Sequence, residues 1–225
     1  VEVKAPQNYL VCDPIEFEVD KAYDWENPIV ITAEDENVMG KLQLIKSDEE
    51  TGEPVEGAEF NIVAAEDIVT GDGSLQAAKG DIVDTITTGK DGIAESKKLY
   101  LGSYIAKEVK APSGYVLNQE EYAFELTYKD QNTKIVYSDL EVKNKPTTII
   151  VTKKVKGKDK VLEGVKYNIW NVGMESDVDP NFAFKETYTT DENGQIKLQY
   201  LEPGVYKLQE KETLPGYVLD DSVHS

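Results

Sequence analysis

Three segments of the chain are near copies of one another: VEVKAPQNYLV at 1–11, YIAKEVKAPSGYVL at 104–117 and YKLQEKETLPGYVL at 206–219. Each holds a glutamate (Glu2, Glu108, Glu210), then a proline, then a tyrosine seven residues after the glutamate (Tyr9, Tyr115, Tyr217). Further blocks repeat around them. KLQLIKSDEETGEPVEGAEFNI (41–62) parallels TIIVTKKVKGKDKVLEGVKYNI (148–169), with Lys46 to Gly57 spaced as Lys153 to Gly164. Gly92, Gly102 and Glu108 are spaced as Gly194, Gly204 and Glu210. A chain that repeats at such a period folds as a series of like units.

The repeats divide the chain. Residues 1–38 match the end of a unit, with Phe17 and Asn37 as far apart as Phe124 and Asn144. Residues 39–146 make one complete unit, and 147–225 a further unit lacking its final strand. The linkers VMG and KPTT are short, which favours abutting domains over freely jointed ones. On this reading the chain is a fragment of a longer tandem array.

Within a unit the pattern is that of strands. KLQLIK, GAEFNIV, GSYIAKEV, YAFELTY and TKIVYSDLEV are short, β-branched or aromatic, and largely alternating. GKDG and DENG are hairpin turns. About 100 residues with this pattern predict an all-β fold, a two-sheet β-sandwich.

Alternation also assigns faces. Leu42, Leu44 and Lys46 share one face, as do Ile149, Val151 and Lys153. Tyr104, Ala106 and Glu108 share a face, and so do Tyr206, Leu208 and Glu210, and Leu140, Val142 and Asn144. Each strand thus carries two core residues followed by one polar residue aimed the same way. A Lys–Glu pair at strand ends reads equally as an ion pair reaching water. Repetition in register points instead to chemistry. Apolar surroundings lower a lysine pKa and raise that of a glutamate. A neutral amine is a nucleophile, and a protonated glutamate beside an asparagine carboxamide can relay protons to departing ammonia. The product is a Lys–Asn amide with no buried charge.

Composition removes competing readings. The net charge of −19 argues against nucleic acid and anionic membrane as partners. The chain has one cysteine, Cys12, and one histidine, His224, which leaves no disulfide framework, multi-cysteine zinc site or histidine-based triad. No nucleotide loop or cofactor motif is present, and SDVDPN (176–181) and GDGS (71–74) read as acidic turns rather than calcium loops.

These residues resemble the B-type repeat domains of collagen adhesins (CnaB-type) found in surface adhesins and pilins of Gram-positive bacteria. YIAKEVKAPSGY is similar to the pilin E-box, with Ala106 where leucine is usual and Leu208 in that place in the last copy. LQLIKSDEETGEPVEGAEF looks like the family's opening strands and VKNKP like its closing strand. The resemblance implies tandem Ig-like (prealbumin-like) β-sandwich domains in a rod-like array, joined to neighbouring domains of one long protein. It implies an intramolecular isopeptide bond in which Lys46 is nucleophile, Asn144 acceptor and Glu108 catalytic acid/base. Lys153 and Glu210 match in the last unit, and Glu2 and Asn37 in the first piece, where Asp35 holds the face position of Val142. The implied role is a structural stalk on the cell surface, with single-turnover self-crosslinking in place of enzymatic turnover. The alternative is an adhesin domain that grips a host or matrix protein directly, with the longer loop AAEDIVTGDGSLQAAKGD (64–81) as its candidate contact.

Overall fold

The computed structural model describes residues 1–19, 23–172 and 186–225. The acidic turn at 176–181 lies outside the described residues. The chain divides into two compact units, one of Val1–Pro112 with Leu117–Lys145, the other of Ser113–Val116 with Pro146–Ser225.

The first unit contains β1 (Met39–Asp48), β2 (Glu59–Ala64), β3 (Ile68–Val69), β4 (Leu75–Ala77), β5 (Ile82–Thr87), β6 (Ile93–Glu95), β7 (Leu99–Tyr100), β8 (Gly102–Lys110), β9 (Glu121–Leu126) and β10 (Ile135–Asn144). One sheet runs β10-β1-β6, with β7 also on β1, and the other runs β5-β2-β8-β9. The inward residues of both sheets, Leu42, Leu44, Phe60, Ile62, Tyr104, Ala106 and Val142, form one buried cluster. This is the predicted sandwich, and strict alternation explains it: β1 alternates half-buried and buried along its whole length.

First and last strands of the unit are neighbours. β1 and β10 pair in parallel, with Lys46 opposite Val142 and Asp48 opposite Asn144. Parallel strands are tolerated when covered by a second layer, which β2 and β8 supply through the shared core.

The loop proposed as a ligand contact folds back on itself as the hairpin β3–β4. Asp72 closes its turn by accepting from Thr70 Oγ1 and Ser74 Oγ. The Asp72 backbone N–H donates to the Tyr9 hydroxyl, and Gly71 lies so close to the Tyr9 ring that a Cβ there would come within 2.7 Å of it.

The second unit contains β11 (Thr148–Thr152), β12 (Lys166–Asn171), β13 (Glu186–Thr189), β14 (Gln195–Gln199), β15 (Tyr206–Glu212) and β16 (Val223–His224). Its sheets are β11-β14 and β13-β12-β15-β16, around a smaller core of Leu162, Val165, Tyr167, Ile169, Ile196 and Leu198. Among the described residues β11 has β14 as its one strand neighbour, whereas β1 has partners on both sides.

Residues 1–38 carry strand-like sequence but, as described, form a single bridge, Tyr9 opposite Asn37, rather than strands. A strand exists through a hydrogen-bonded neighbour, and among the described residues the segment finds one at that bridge alone. Ala5, Leu10 and Val38 nonetheless bury their side chains.

Candidate functional site

In the first unit three strands deliver Lys46, Glu108 and Asn144 to one interior. Lys46 is 0% exposed, Glu108 6% and Asn144 1%. All three follow the face assignment read from the sequence. Asn144 Nδ2 donates to Glu108 Oε1 at 2.8 Å and to Oε2 at 3.0 Å. Lys46 Nζ donates to the Val142 carbonyl at 3.4 Å, two residues before Asn144 on β10. Asn144 Oδ1 is buried without a hydrogen-bond partner among the described residues, an arrangement stable proteins rarely leave standing.

Burial sets the protonation of the site. It pulls the Lys46 amine down to about 8, against the opposing pull of Glu108 and Asp48. It pushes the Glu108 carboxyl above the usual carboxylate range, against hydrogen bonds from Asn118 and Asn144 and the charge of Lys46. Both shifts favour the uncharged forms, a free amine and a carboxylic acid.

Three backbone features that side-chain patterning does not reveal hold the centre. A β-bulge between Glu59 and Phe60 sets Phe60 opposite Glu108, and bulges re-aim side chains in this way. The Asn118 backbone N–H donates to Glu108 Oε2 at 2.6 Å. The Lys46 backbone N–H donates to the Gly92 carbonyl at 2.7 Å; Gly92 has φ 72°, and a Cβ there would meet the Lys46 carbonyl oxygen at 2.4 Å. The signal for Gly92 was present as its fixed spacing to Gly102, repeated at Gly194.

The second unit repeats this scaffold. A bulge between Lys166 and Tyr167 sets Tyr167 opposite Glu210. The Asp220 backbone N–H donates to Glu210 Oε2 at 2.9 Å, and the Lys153 backbone N–H to the Gly194 carbonyl at 2.8 Å. The charges differ. Lys153 Nζ lies 3.2 Å from Glu210 Oε1, with the Lys153 side chain 22% exposed, and 5.9 Å from the centre of the Tyr167 ring. Burial lowers its pKa, but the bonds to Glu210 and Tyr167 outweigh that and leave it raised.

In the first piece Glu2 accepts from the Cys12 backbone N–H at 2.9 Å. A ligand atom of each of Glu2, Cys12 and Asp35 lies within 4.8 Å of the others. Asn37 lies instead opposite Tyr9. The structure thus brings Lys46, Glu108 and Asn144 together, and Lys153 with Glu210, but sets Asp35 rather than Asn37 beside Glu2.

Two sandwich units, each with a lysine and a glutamate aimed between its sheets, mark a repetitive β-sandwich protein. Comparison with known proteins makes this specific: the family model described as SpaA, prealbumin-like fold domain, matches residues 40–141 and 147–225, and the chain belongs to that family. The collagen adhesin of Staphylococcus aureus is 30% identical over 105 residues, which cover 46% of this chain and 8% of that protein. The trypsin-resistant surface T6 protein of Streptococcus pyogenes is 49% identical over 41 residues, 18% of this chain and 8% of that protein. The chain therefore aligns with less than a tenth of either relative's length. Among solved structures, the Bacillus anthracis TIE protein aligns with 86% of this chain and 34% of its own, at 24% identity and a TM-score of 0.44. The chain is a pilin-like prealbumin-fold segment of the kind found in Gram-positive surface proteins.

Proposed function

We propose that this segment is a load-bearing stalk module of a Gram-positive surface adhesin or pilin, tied by an autocatalytic isopeptide bond between Lys46 and Asn144. The observation that carries this is the buried neutral-favouring trio on β1, β8 and β10. The Lys46 amine attacks Asn144 Cγ, and the new C–N bond replaces the bond to Nδ2. Glu108, which already holds Nδ2, takes a proton from the attacking nitrogen and gives one to the leaving nitrogen, which departs as ammonia. The centre turns over once.

Such a bond joins the first strand of the unit to the last and closes a loop of about 100 residues, worth about 4–5 kcal/mol if it acts as a disulfide of that span does. Tension entering at β1 and leaving at β10 then passes through the covalent tie rather than through the remaining strands. Unlike a disulfide, the amide resists reduction. An extracellular, cell-wall-attached setting, with neighbouring domains of the same protein as partners, follows from this role and from the surface proteins it resembles.

Intact-mass measurement tests the reading. The parent chain is expected one ammonia light, and Lys46→Ala and Glu108→Ala are expected at full mass. A parent at full mass would reduce the trio to a buried noncovalent cluster.

A further inference from the structure

The chain between β8 and β9 does not stay with the first unit. Residues Ser113–Val116 group with the second unit, and the chain rejoins the first at Leu117. This turn separates Glu108, on β8, from Asn118, whose backbone N–H donates to Glu108 Oε2 at 2.6 Å. Asn118 is also tied by its side chain: Nδ2 donates to the Lys143 carbonyl at 3.0 Å and to the Tyr122 hydroxyl at 2.8 Å. Its position is therefore set on one side by the first unit and on the other by the turn.

The second unit clamps that turn. Gly114 has φ 79°, a backbone that suits glycine. Its carbonyl accepts from the Thr147 backbone N–H at 2.9 Å. The Thr147 hydroxyl has one proton to share between the Leu201 carbonyl at 2.6 Å and the Gly114 carbonyl at 3.0 Å. The Thr147 carbonyl accepts from the Tyr200 N–H at 2.9 Å. Tyr200 holds φ 58°, an uncommon backbone for a bulky side chain. That backbone brings its carbonyl over Gly114, where a Cβ would stand 3.0 Å from the Tyr200 oxygen. The Tyr200 ring meets Tyr115 edge-on, with centres 5.6 Å apart.

The last copy of the turn separates the clamp from the bond it supports. Gly216 has φ 88° and nothing within 4 Å of where a Cβ would stand, while the Asp220 N–H still reaches Glu210 Oε2 at 2.9 Å. The bond to the glutamate forms with or without a clamp. What the clamp removes is the freedom of the loop that carries the donor, because loops with few contacts open locally.

We propose that Thr147 and Tyr200 are positioning residues for the Lys46–Asn144 crosslink: by clamping the Ser113–Val116 turn they hold the Asn118 N–H on Glu108, so that a folded second unit accelerates bond formation in the first. This rests on the chemistry proposed for Lys46, Glu108 and Asn144, and adds an order of events to it. Glu108 relays protons through two oxygens. Asn118 fixes the direction of one, which leaves the other aimed at Asn144 Nδ2. A carboxyl free to turn meets the leaving nitrogen less often.

Full chain from a cell-free translation is pulse-labelled, quenched in acid at intervals, and weighed intact for the loss of ammonia. Thr147→Val removes the shared hydroxyl. Tyr200→Asn removes the ring and tolerates the left-handed backbone. Each is expected to form the bond about tenfold more slowly than the parent, the scale on which lost orientation acts, and Thr147→Ser is expected to restore the rate. Parent-like rates in both variants beside a reactive parent sink this inference alone, whereas a parent that loses no ammonia sinks the earlier reading. A general loss of stability is separated by amide hydrogen exchange in Lys46→Ala, where no bond forms. There Thr147→Val is expected to speed exchange at Asn118 about tenfold and to leave Leu44 in the core of the first unit unchanged, with Thr147→Ser restoring Asn118. Unchanged exchange at Asn118, or an equal rise at Leu44, overturns the proposal.

Discussion

The two sandwich units hold the same lysine and glutamate on the same scaffold and shift the lysine pKa in opposite directions. In the first, Lys46 is wholly buried, its pKa is lowered to about 8, and both oxygens of Glu108 are engaged by Asn144. In the second, Lys153 keeps contact with solvent, pairs directly with Glu210, and has its pKa raised. The bulge, the glycine carbonyl and the backbone N–H to the glutamate are common to both. What differs is the closing strand. β10 covers Lys46 and inserts a carboxamide onto the glutamate, where burial lowers the amine pKa and raises that of the acid instead of leaving an exposed salt bridge. The lesson is that the lowered lysine pKa belongs to the sheet that includes β10 rather than to the Lys–Glu pair alone.

The largest test of this contrast is thermal. Calorimetry of Lys46→Ala should lower the transition of the first unit by about 4–5 kcal/mol, the closure term lost with the bond. Lys153→Ala should cost the second unit about 1–2 kcal/mol, because Glu210 keeps its hydrogen bond from Asp220. Equal losses in the two units would break the contrast.

A sharper test uses pH, and the sign differs between units. In Glu108→Ala, where no bond forms, folding holds Lys46 at a pKa below its ordinary 10.5, and loss of the Glu108 charge lowers it further from about 8. Between those values the unfolded chain binds a proton that the folded unit rejects, so the stability of the first unit rises with pH across that window. Lys153 has a raised folded pKa. Its contribution is complete below the ordinary lysine value and is lost as pH climbs through the folded one. Denaturant midpoints of the two units, followed from neutral to alkaline pH, should move in opposite directions. Parallel movement would mean that the two lysines share one environment.

Much of this was legible in the sequence. Period-two alternation put Leu42, Leu44 and Lys46 on one face, and a strand buried on that face has no other register open to it. The equal spacing of Gly92 and Gly194 to their glutamates marked the positions that grip the lysine backbone. Legibility ended where local pattern stops carrying information. Lys46 and Lys153 look alike in sequence, because their burial depends on a strand about 100 residues away. The alignment of Asn37 with Asn144 rested on equal spacing from Phe17 and Phe124. Phe17 is 60% exposed, though, whereas Phe124 is core, so spacing from it fixes no register. The Val38 N–H donates to the Asn8 carbonyl at 2.8 Å as the Thr147 N–H does to the Gly114 carbonyl at 2.9 Å, and by that backbone register Asp35, rather than Asn37, stands at the place of Asn144. Asn118, Cys12 and Asp220 were invisible as a set because they act through backbone N–H groups, which any side chain can accompany.

The smallest expected effect serves as the control that keeps the contrast honest. Thr88 and Thr190 are both 2% exposed and make the same pair of bonds. Thr88 Oγ1 donates to the Val55 carbonyl at 2.8 Å and accepts from the Ala58 N–H at 3.0 Å. Thr190 Oγ1 donates to the Leu162 carbonyl at 2.8 Å and accepts from the Val165 N–H at 2.9 Å. Valine keeps the shape of either side chain but strands a backbone donor and acceptor, at a cost of about 1–2 kcal/mol. Thr88→Val and Thr190→Val should therefore destabilise their own units by the same amount, measured in a Lys46→Ala background so that the crosslink does not mask the first. If Thr88→Val cost substantially more, the units would differ throughout their cores, and the behaviour of Lys46 could not be credited to β10. Matched losses would confine the difference to the closing strand, where the geometry puts it.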